Sequence, residues 1–219
     1  MTTTEIEYKE VLPDGLVVQN TRPEHVQQLE ALQKIVFPTL AADELIRAEH
    51  YLRHIEVFPE GQFVITDKDA VIGMTTTMRT CFDFENPHHT FKETIAGGWL
   101  SNHDSNGDWL YGLDMGILPA YRGRGLARVL YRARHKVAAR LGLKGQLTVG
   151  MMSGYGAVSK DISGEQYYEQ LIRGERKDPT LTPQMKIGFE PVALMPEHLN
   201  DPLCGNYGVL IKIDINKTI

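Results

Sequence analysis

The stretch GILPAYRGRGLARVLYRARHKVAARLGLKG, residues 116–145, decides how the rest of the chain is read. Leu126, Val129, Leu130, Ala133, Val137 and Leu141 recur at helical spacing, which predicts a helix over about residues 123–141, ended by Gly142. Just upstream, DWLYGLDMGIL (108–118) reads as a strand. Trp109, Tyr111, Leu113, Met115 and Ile117 would share one face, and Leu110, Gly112, Asp114, Gly116 and Leu118 the other. Both faces are mostly apolar, as in a central strand covered on both sides. A strand that turns through glycines into a helix exposes unpaired N–H groups at the positive end of the helix dipole, where anions collect. Gly123 and Gly125 let a ligand approach the backbone without meeting a Cβ, and Arg122 and Arg124 add charge. From Arg122 to Lys144 there are eight Lys or Arg and no Asp or Glu. A solvated turn, a phosphorylated ligand and a nucleic acid are the three readings of that asymmetry.

Working outward, LVVQN (16–20) predicts a strand after a loose leader over 1–15. Thr21, Pro23 and Glu24 have the spacing of a capping box, opening a helix that Pro38 closes. A second helix fits 42–56. Residues 62–66 and 70–80 predict a hairpin around DKDA. The segment 82–107 is irregular, and a loop of that length inside a domain is usually functional or mobile. After the central helix come a strand at 145–152, a helix at 163–174 capped by Ser163, a further turn or two of helix, and strands in FEPVALMP and YGVLIKIDI. The order predicts one mixed α/β domain.

Composition narrows the class. The chain has 219 residues, 42% hydrophobic and 23% charged, with a formal net charge of −5, which argues against a general nucleic-acid binder. Cys81 and Cys204 form no C-x-x-C and read as free thiols of a reducing compartment. No signal-peptide pattern and no membrane-length apolar run occurs, so a cytoplasmic protein without a membrane partner is expected. His50 and His54 are spaced i, i+4 but lack a zincin Glu, and no metal is expected. A P-loop is excluded because no G-x-x-x-x-G-K-[ST] occurs, and GRGLAR lacks the third small residue and later acid of a dinucleotide fingerprint.

ILPAYRGRGLA resembles motif A of the GNAT superfamily of N-acetyltransferases, with Ile117, Pro119, Arg122, Gly125 and Ala127 on the motif positions. KIGFEPV is similar to the family's G-F segment, and the order from residue 16 to about 214 matches. LGLKG, EQYYEQLIRGE and DPTLTPQMKIGFEPV are similar to the acetyltransferase domain that some bacteria fuse to a carbon–nitrogen hydrolase, which implies a stand-alone relative here. The resemblance implies a GNAT-like domain over 16–219, with a central, mostly antiparallel sheet whose fourth and fifth strands splay. It implies acetyl-CoA as co-substrate, its diphosphate on the N–H groups of Arg122, Gly123, Arg124, Gly125, Leu126 and Ala127, and its pantetheine arm along Met115, Gly116 and Ile117.

The reaction implied is acetyl transfer to the amine of a small molecule or peptide. A non-catalytic sensor or partner module that binds CoA is the alternative, and a homodimer is left open. The family's usual acid, a Tyr, falls on Gln184 in this chain. Tyr155 just past the fifth strand is the replacement candidate for the acid, and Asp114 the candidate base, since a desolvated carboxylate on a central strand has a raised pKa. Asp83, Glu85, His88, His89, His103 and Asp104 in the 82–107 loop are candidates to line the acceptor pocket.

Overall fold

The computed structural model describes residues 7–219. Eight strands form one sheet: β1 Lys9–Val11, β2 Val17–Asn20, β3 Phe63–Asp67, β4 Ala70–Thr80, β5 Trp109–Ile117, β6 Gly145–Met151, β7 Glu190–Met195 and β8 Gly208–Asp214. The helices are α1 Val26–Val36, α2 Ala48–Val57, α3 Phe91–Thr94, α4 Leu126–Arg140, α5 Gly164–Ile172 and α6 Leu181–Ile187. The strand order is β1-β2-β3-β4-β5-β6-β8-β7. Only β5 and β6 run parallel, joined by α4 as the crossover that parallel strands require. α4 packs on one face, where Leu126, Leu130, Ala133 and Val137 meet Leu110, Ile65 and Ile72. α1 and α2 cover the other through Leu29, Leu32 and Tyr51 against Val64 and Met74.

Three local expectations are corrected. Lys9–Val11, expected in a loose leader, is a strand paired with β2, while residues 1–6 lie outside the described residues. Thr21 caps nothing: its buried Oγ1 has no partner, and a 3-10 turn at Pro23–His25 precedes α1, with the Arg22 N–H donating to His25 Nδ1 at 3.0 Å. Residues 42–47 are irregular, so α2 begins only at Ala48. The Ser163 cap is present, accepting from the Gln166 N–H at 3.2 Å.

The face assignment of β5 also changes. β4 pairs Thr76 with Asp114 but Thr77 with Gly112, so Leu113 is an extra residue, a β-bulge. A bulge restarts the alternation of side chains. Gly112 faces α4, where a Cβ would collide with Arg134, whereas Gly116 faces α1, where a Cβ would meet Val36. Asp114 therefore lies on the α1–α2 face, opposite Leu110 and Gly112, rather than beside them.

Candidate active site

The bulge also ends the pairing of β5 with β6. Their last registered pair is Gly112 with Thr148, yet β5 runs on to Ile117 and β6 to Met151. Beyond Gly112 the β6-facing edge of β5 has no strand partner, and a cleft of about 650 Å³ opens between the two strands. Met115, Gly116 and Ile117 line it on one side and Val149, Gly150 and Met151 on the other, with Ala127, Tyr131 and Arg134 of α4 along one wall. The closed end lies at Gly112 and Thr148; the open end leads to the start of α4.

That start presents backbone donors without partners among the described residues. Gly125, the N-cap, has φ 77° and Gly123 φ 78°, both in the left-handed region that glycine adopts without strain. No side chain caps the helix, and from Gly123 to Arg128 no backbone N–H finds a partner among the described residues. A Cβ built on either glycine meets nothing within 4 Å, so the turn's concave side is clear of protein atoms. Arg122 lines the cleft while its Nε donates to the Ile117 carbonyl at 3.0 Å. Arg124 points away, pairing with Asp14 at 2.6 Å, and Leu126 buries its side chain and offers only its N–H. The residues expected to hold a diphosphate and an extended arm are thus contiguous, with Arg124 and Leu126 present through their backbone.

The two catalytic candidates are placed differently. Asp114 is buried, and both carboxylate oxygens are engaged. Oδ1 accepts from the Thr76 N–H at 2.8 Å and the Thr76 hydroxyl at 2.7 Å; Oδ2 accepts from Gln33 Nε2 at 2.7 Å and the Tyr51 hydroxyl at 2.9 Å. These bonds tie β4, β5, α1 and α2 together at the bulge, and a carboxylate with its acceptor sites filled is poorly placed to take a proton. Tyr155 does not line the cleft. It packs between Tyr167 and Tyr207 at ring distances of 5.5 and 5.3 Å, and its hydroxyl donates weakly to the Ile162 carbonyl at 3.4 Å.

Two cleft residues, Tyr131 and Arg134, have no role in the sequence reading, and a third, Gln184, enters it only as the position where the family's usual Tyr is missing. Gln184 lines the cleft and its Nε2 donates to the Tyr131 hydroxyl at 2.8 Å. Beside Tyr131, 5.2 Å from its ring centroid, lies the guanidinium of Arg134, which is 1% exposed. Arg134 Nη1 donates to the Thr75 hydroxyl at 3.4 Å, whereas Nε and Nη2 have no partner. Burial pushes the Tyr131 phenol up and the Arg134 guanidinium down from their ordinary values. The signal was the i, i+4, i+7 spacing of Ala127, Tyr131 and Arg134, a second stripe beside the aliphatic one.

Past the closed end, on the α1 face, lies a chamber of about 50 Å³. Phe37, Leu40, Phe91 and Leu199 line it with Asp114 and His198. Its roof is stitched from three loops: Thr39 to Asp201 at 2.7 Å, Ala41 N–H to the Asn200 carbonyl at 2.9 Å, and Phe91 N–H to the His198 carbonyl at 2.6 Å. His198 Nδ1 donates to the His89 carbonyl at 2.8 Å, which leaves Nε2 as its acceptor nitrogen. Of the loop candidates, His89 accepts from the Tyr111 hydroxyl at 2.7 Å beside this roof. Asp83 is engaged with Asn86 and Glu85 within the loop itself, and His103 accepts from the Arg79 N–H of β4 at 3.2 Å.

A splayed parallel pair feeding an uncapped, glycine-bounded helix is the arrangement expected of the GNAT fold. The acetyltransferase (GNAT) family model matches residues 26–153, and the chain belongs to that family. Among curated relatives it is similar to the uncharacterized N-acetyltransferase YkwB of Bacillus subtilis (strain 168), 29% identical over 91% of this chain and 88% of the relative. It is also similar to the probable hydrolase YhcX of the same organism, 31% identical over 85% of this chain; there the chain spans only 36% of the relative's length. Among solved structures, the loading GNATL domain of CurA from Lyngbya majuscula aligns with TM-score 0.75 at 21% identity, over 91% of this chain and 98% of that one. The GNAT-like decarboxylase GphF, in complex with isobutyryl-CoA, aligns with TM-score 0.74 at 22% identity, over 91% and 99%. At those identities the structural likeness establishes the fold. No helix is long and apolar enough to cross a membrane among the described residues.

Proposed function

We propose that the chain transfers an acetyl group from acetyl-CoA to the amine of a small molecule. The observation that carries this reading is the end of β5–β6 pairing at Gly112 and Thr148, directly upstream of the unpartnered N–H groups of Gly123 to Arg128. A diphosphate would sit on those N–H groups, and an extended amide arm would complete the open edge of Met115–Ile117 as an added strand. From Ile117 to Gly112 is about 17 Å of strand, enough for the arm to bring its thioester to the closed end. When bound, the co-substrate supplies an activated acyl carbon.

The chamber on the α1 face meets the cleft there, sharing Phe37, Leu113, Asp114, Val149 and Met151 with it. Its small volume and stitched roof favour a compact amine over a peptide. His198 Nε2 would accept from the incoming N–H and orient its lone pair. Asp114 is assigned a positioning role, holding the bulge that opens the cleft.

Isothermal calorimetry with acetyl-CoA, followed by a thiol-release screen over amino acids, polyamines, aminoglycosides and peptide N-termini, tests the proposal. Binding and release with a small amine support it. Binding without release across the panel turns the reading toward a CoA-responsive sensor, and no binding removes it.

A further inference from the structure

At the closed end of the cleft, one proton donor has nowhere to put its proton. The Tyr131 hydroxyl accepts from Gln184 Nε2 at 2.8 Å, so one lone pair is taken, and its own O–H has no acceptor among the described residues. The phenol is 3% exposed, on the wall of α4 that lines the cleft. The other end of the Gln184 amide, Oε1, packs against Gly150, where a Cβ would stand 2.4 Å away, and has no partner of its own among the described residues. Nearby, Arg134 carries a buried cation with two unpartnered N–H donors, and it forms no salt bridge among the described residues. The buried Asp114 carboxylate acts on that cation through space but forms no ion pair with it among the described residues, and a buried cation without a contacting counter-ion is costly, as is a buried donor without an acceptor. Both costs are relieved by the same event, the appearance of negative charge at the closed end.

We infer that Tyr131 is the proton donor to the departing thiolate, with Gln184 holding the phenol and Arg134 stabilising the charge that forms. The assignment rests on the reading of the cleft as a CoA-thioester site. The position follows from the strand geometry. An arm laid along β5 cannot pass the Gly112–Thr148 pair, so its sulfur stops there. Tyr131 and Arg134 lie one and nearly two turns beyond Ala127 on the same face of α4, about 6 and 10 Å along its axis.

The amine nitrogen bonds to the acyl carbon, the C–S bond breaks, and its electron pair goes to sulfur. The Tyr131 O–H gives its proton to that sulfur and a free thiol leaves. The phenolate, held by the Gln184 N–H and the Arg134 cation, regains a proton from solvent, matching the proton that the amine nitrogen loses. One proton passes from phenol to sulfur and one negative charge from sulfur to phenol, the guanidinium keeps its protons and its charge, and no oxidant or reductant is consumed.

Three measurements and a rescue test the assignment. The first needs no acceptor: the ultraviolet thiolate absorbance of bound CoA is followed against pH. In the unmodified protein the Tyr131 donor stabilises the thiolate, and Tyr131→Phe should raise the apparent thiol pKa by about one unit. Second, Tyr131→Phe should lower kcat for thiol release by about 10²-fold, with the affinity for acetyl-CoA within twofold. Third, Gln184→Glu keeps the shape but turns the holder into an acceptor that captures the phenol proton. It should lower kcat by about tenfold or more although the hydroxyl is still present. In the Tyr131→Phe background, Gln184→Tyr should restore part of the rate. An unchanged thiol titration in Tyr131→Phe, or full turnover in either single variant, overturns the acid assignment while leaving the CoA site intact. Failure of the unmodified protein to bind CoA overturns both.

Discussion

Gly112 lies directly beneath the Arg134 guanidinium: a Cβ built on the glycine would stand 1.7 Å from Nη2. The pair sits where β5 and β6 stop pairing, so one residue's lack of a side chain lets the other's cation reach the closed end of the cleft. Gly112→Ala must either displace Arg134 or separate α4 from the sheet. A loss of about 1–3 kcal/mol in urea unfolding is expected, with a larger proportional loss of thiol-release activity. An alanine variant as stable and as active as the parent would show that Arg134 moves aside freely.

Asp114 differs in kind. Its carboxylate is the hub for Gln33, Tyr51 and Thr76. Asp114→Asn replaces one acceptor oxygen by a donor and sets N–H against donors already in place. The expected outcome is a loss of about 1–3 kcal/mol in stability. Activity should fall in proportion to the folded fraction, with the pH dependence of kcat otherwise unaltered. A full-stability variant that loses only the acidic limb of its pH–rate profile would return Asp114 to the role of base.

What the sequence revealed and what it hid divide along physical lines. The shape of the helix start was legible because it is local: Gly123, Gly125 and the start of α4 act through their own φ angles and N–H groups. The hairpin at 63–80, the central strand and the Ser163 cap are local in the same sense. The bulge at Leu113 was hidden because it exists only as a mismatch of register with Thr76 and Thr77 on another strand. Without it, strict alternation places Asp114 on the face of Gly112. Thr21 matched a capping pattern, but the chain enters α1 through a 3-10 turn and the hydroxyl is buried unused. Tyr155 is near β6 in sequence, but the folding of 153–178 turns it into an aromatic cluster. Gln184 and Tyr131 are 53 positions apart, and only the packing of α6 on α4 joins them.

Gly125 provides a direct measurement of the anion site. At φ 77° it is strained for any residue with a Cβ, and a β-branched one most of all. A cost of about 1–2 kcal/mol corresponds to roughly 5–30-fold in an equilibrium constant. Gly125→Val should therefore weaken acetyl-CoA binding by about 5–30-fold in calorimetry, since the turn either shifts or places its side chain on the diphosphate side. Affinity equal to that of the unmodified protein would sink the diphosphate assignment.

Tyr155→Phe separates the cluster tyrosine from the cleft. The hydroxyl it removes makes one long contact, to the Ile162 carbonyl at 3.4 Å. Stability should change by no more than about 0.5–1 kcal/mol. Turnover and acetyl-CoA affinity should both stay within about twofold, a change of under 0.5 kcal/mol. A large fall in kcat at constant affinity would mean that the tyrosine reaches the reacting atoms after all.

His198 makes the roof over the chamber sensitive to acid. Burial pushes its imidazole down to about 4 from the ordinary 6.5, and the bond to the His89 carbonyl offsets only part of that. The unfolded chain thus takes up the proton first as pH falls through 6.5, while the folded one stays neutral until about 4. Stability from the neutral ring is complete above pH 6.5 and drains away toward pH 4, by about 3 kcal/mol in all. Between pH 7 and pH 5 the loss from this residue should be about 2 kcal/mol in urea unfolding. His198→Asn keeps a donor for the His89 carbonyl and removes the titration, so its stability should fall less over the same interval by about that amount. His25, His50, His54, His89 and His103 are shifted in the same direction and remain in both proteins, so the difference between the two curves isolates His198. Parallel curves would show that the ring is free to ionise in the folded chain, and with it that the roof opens to water.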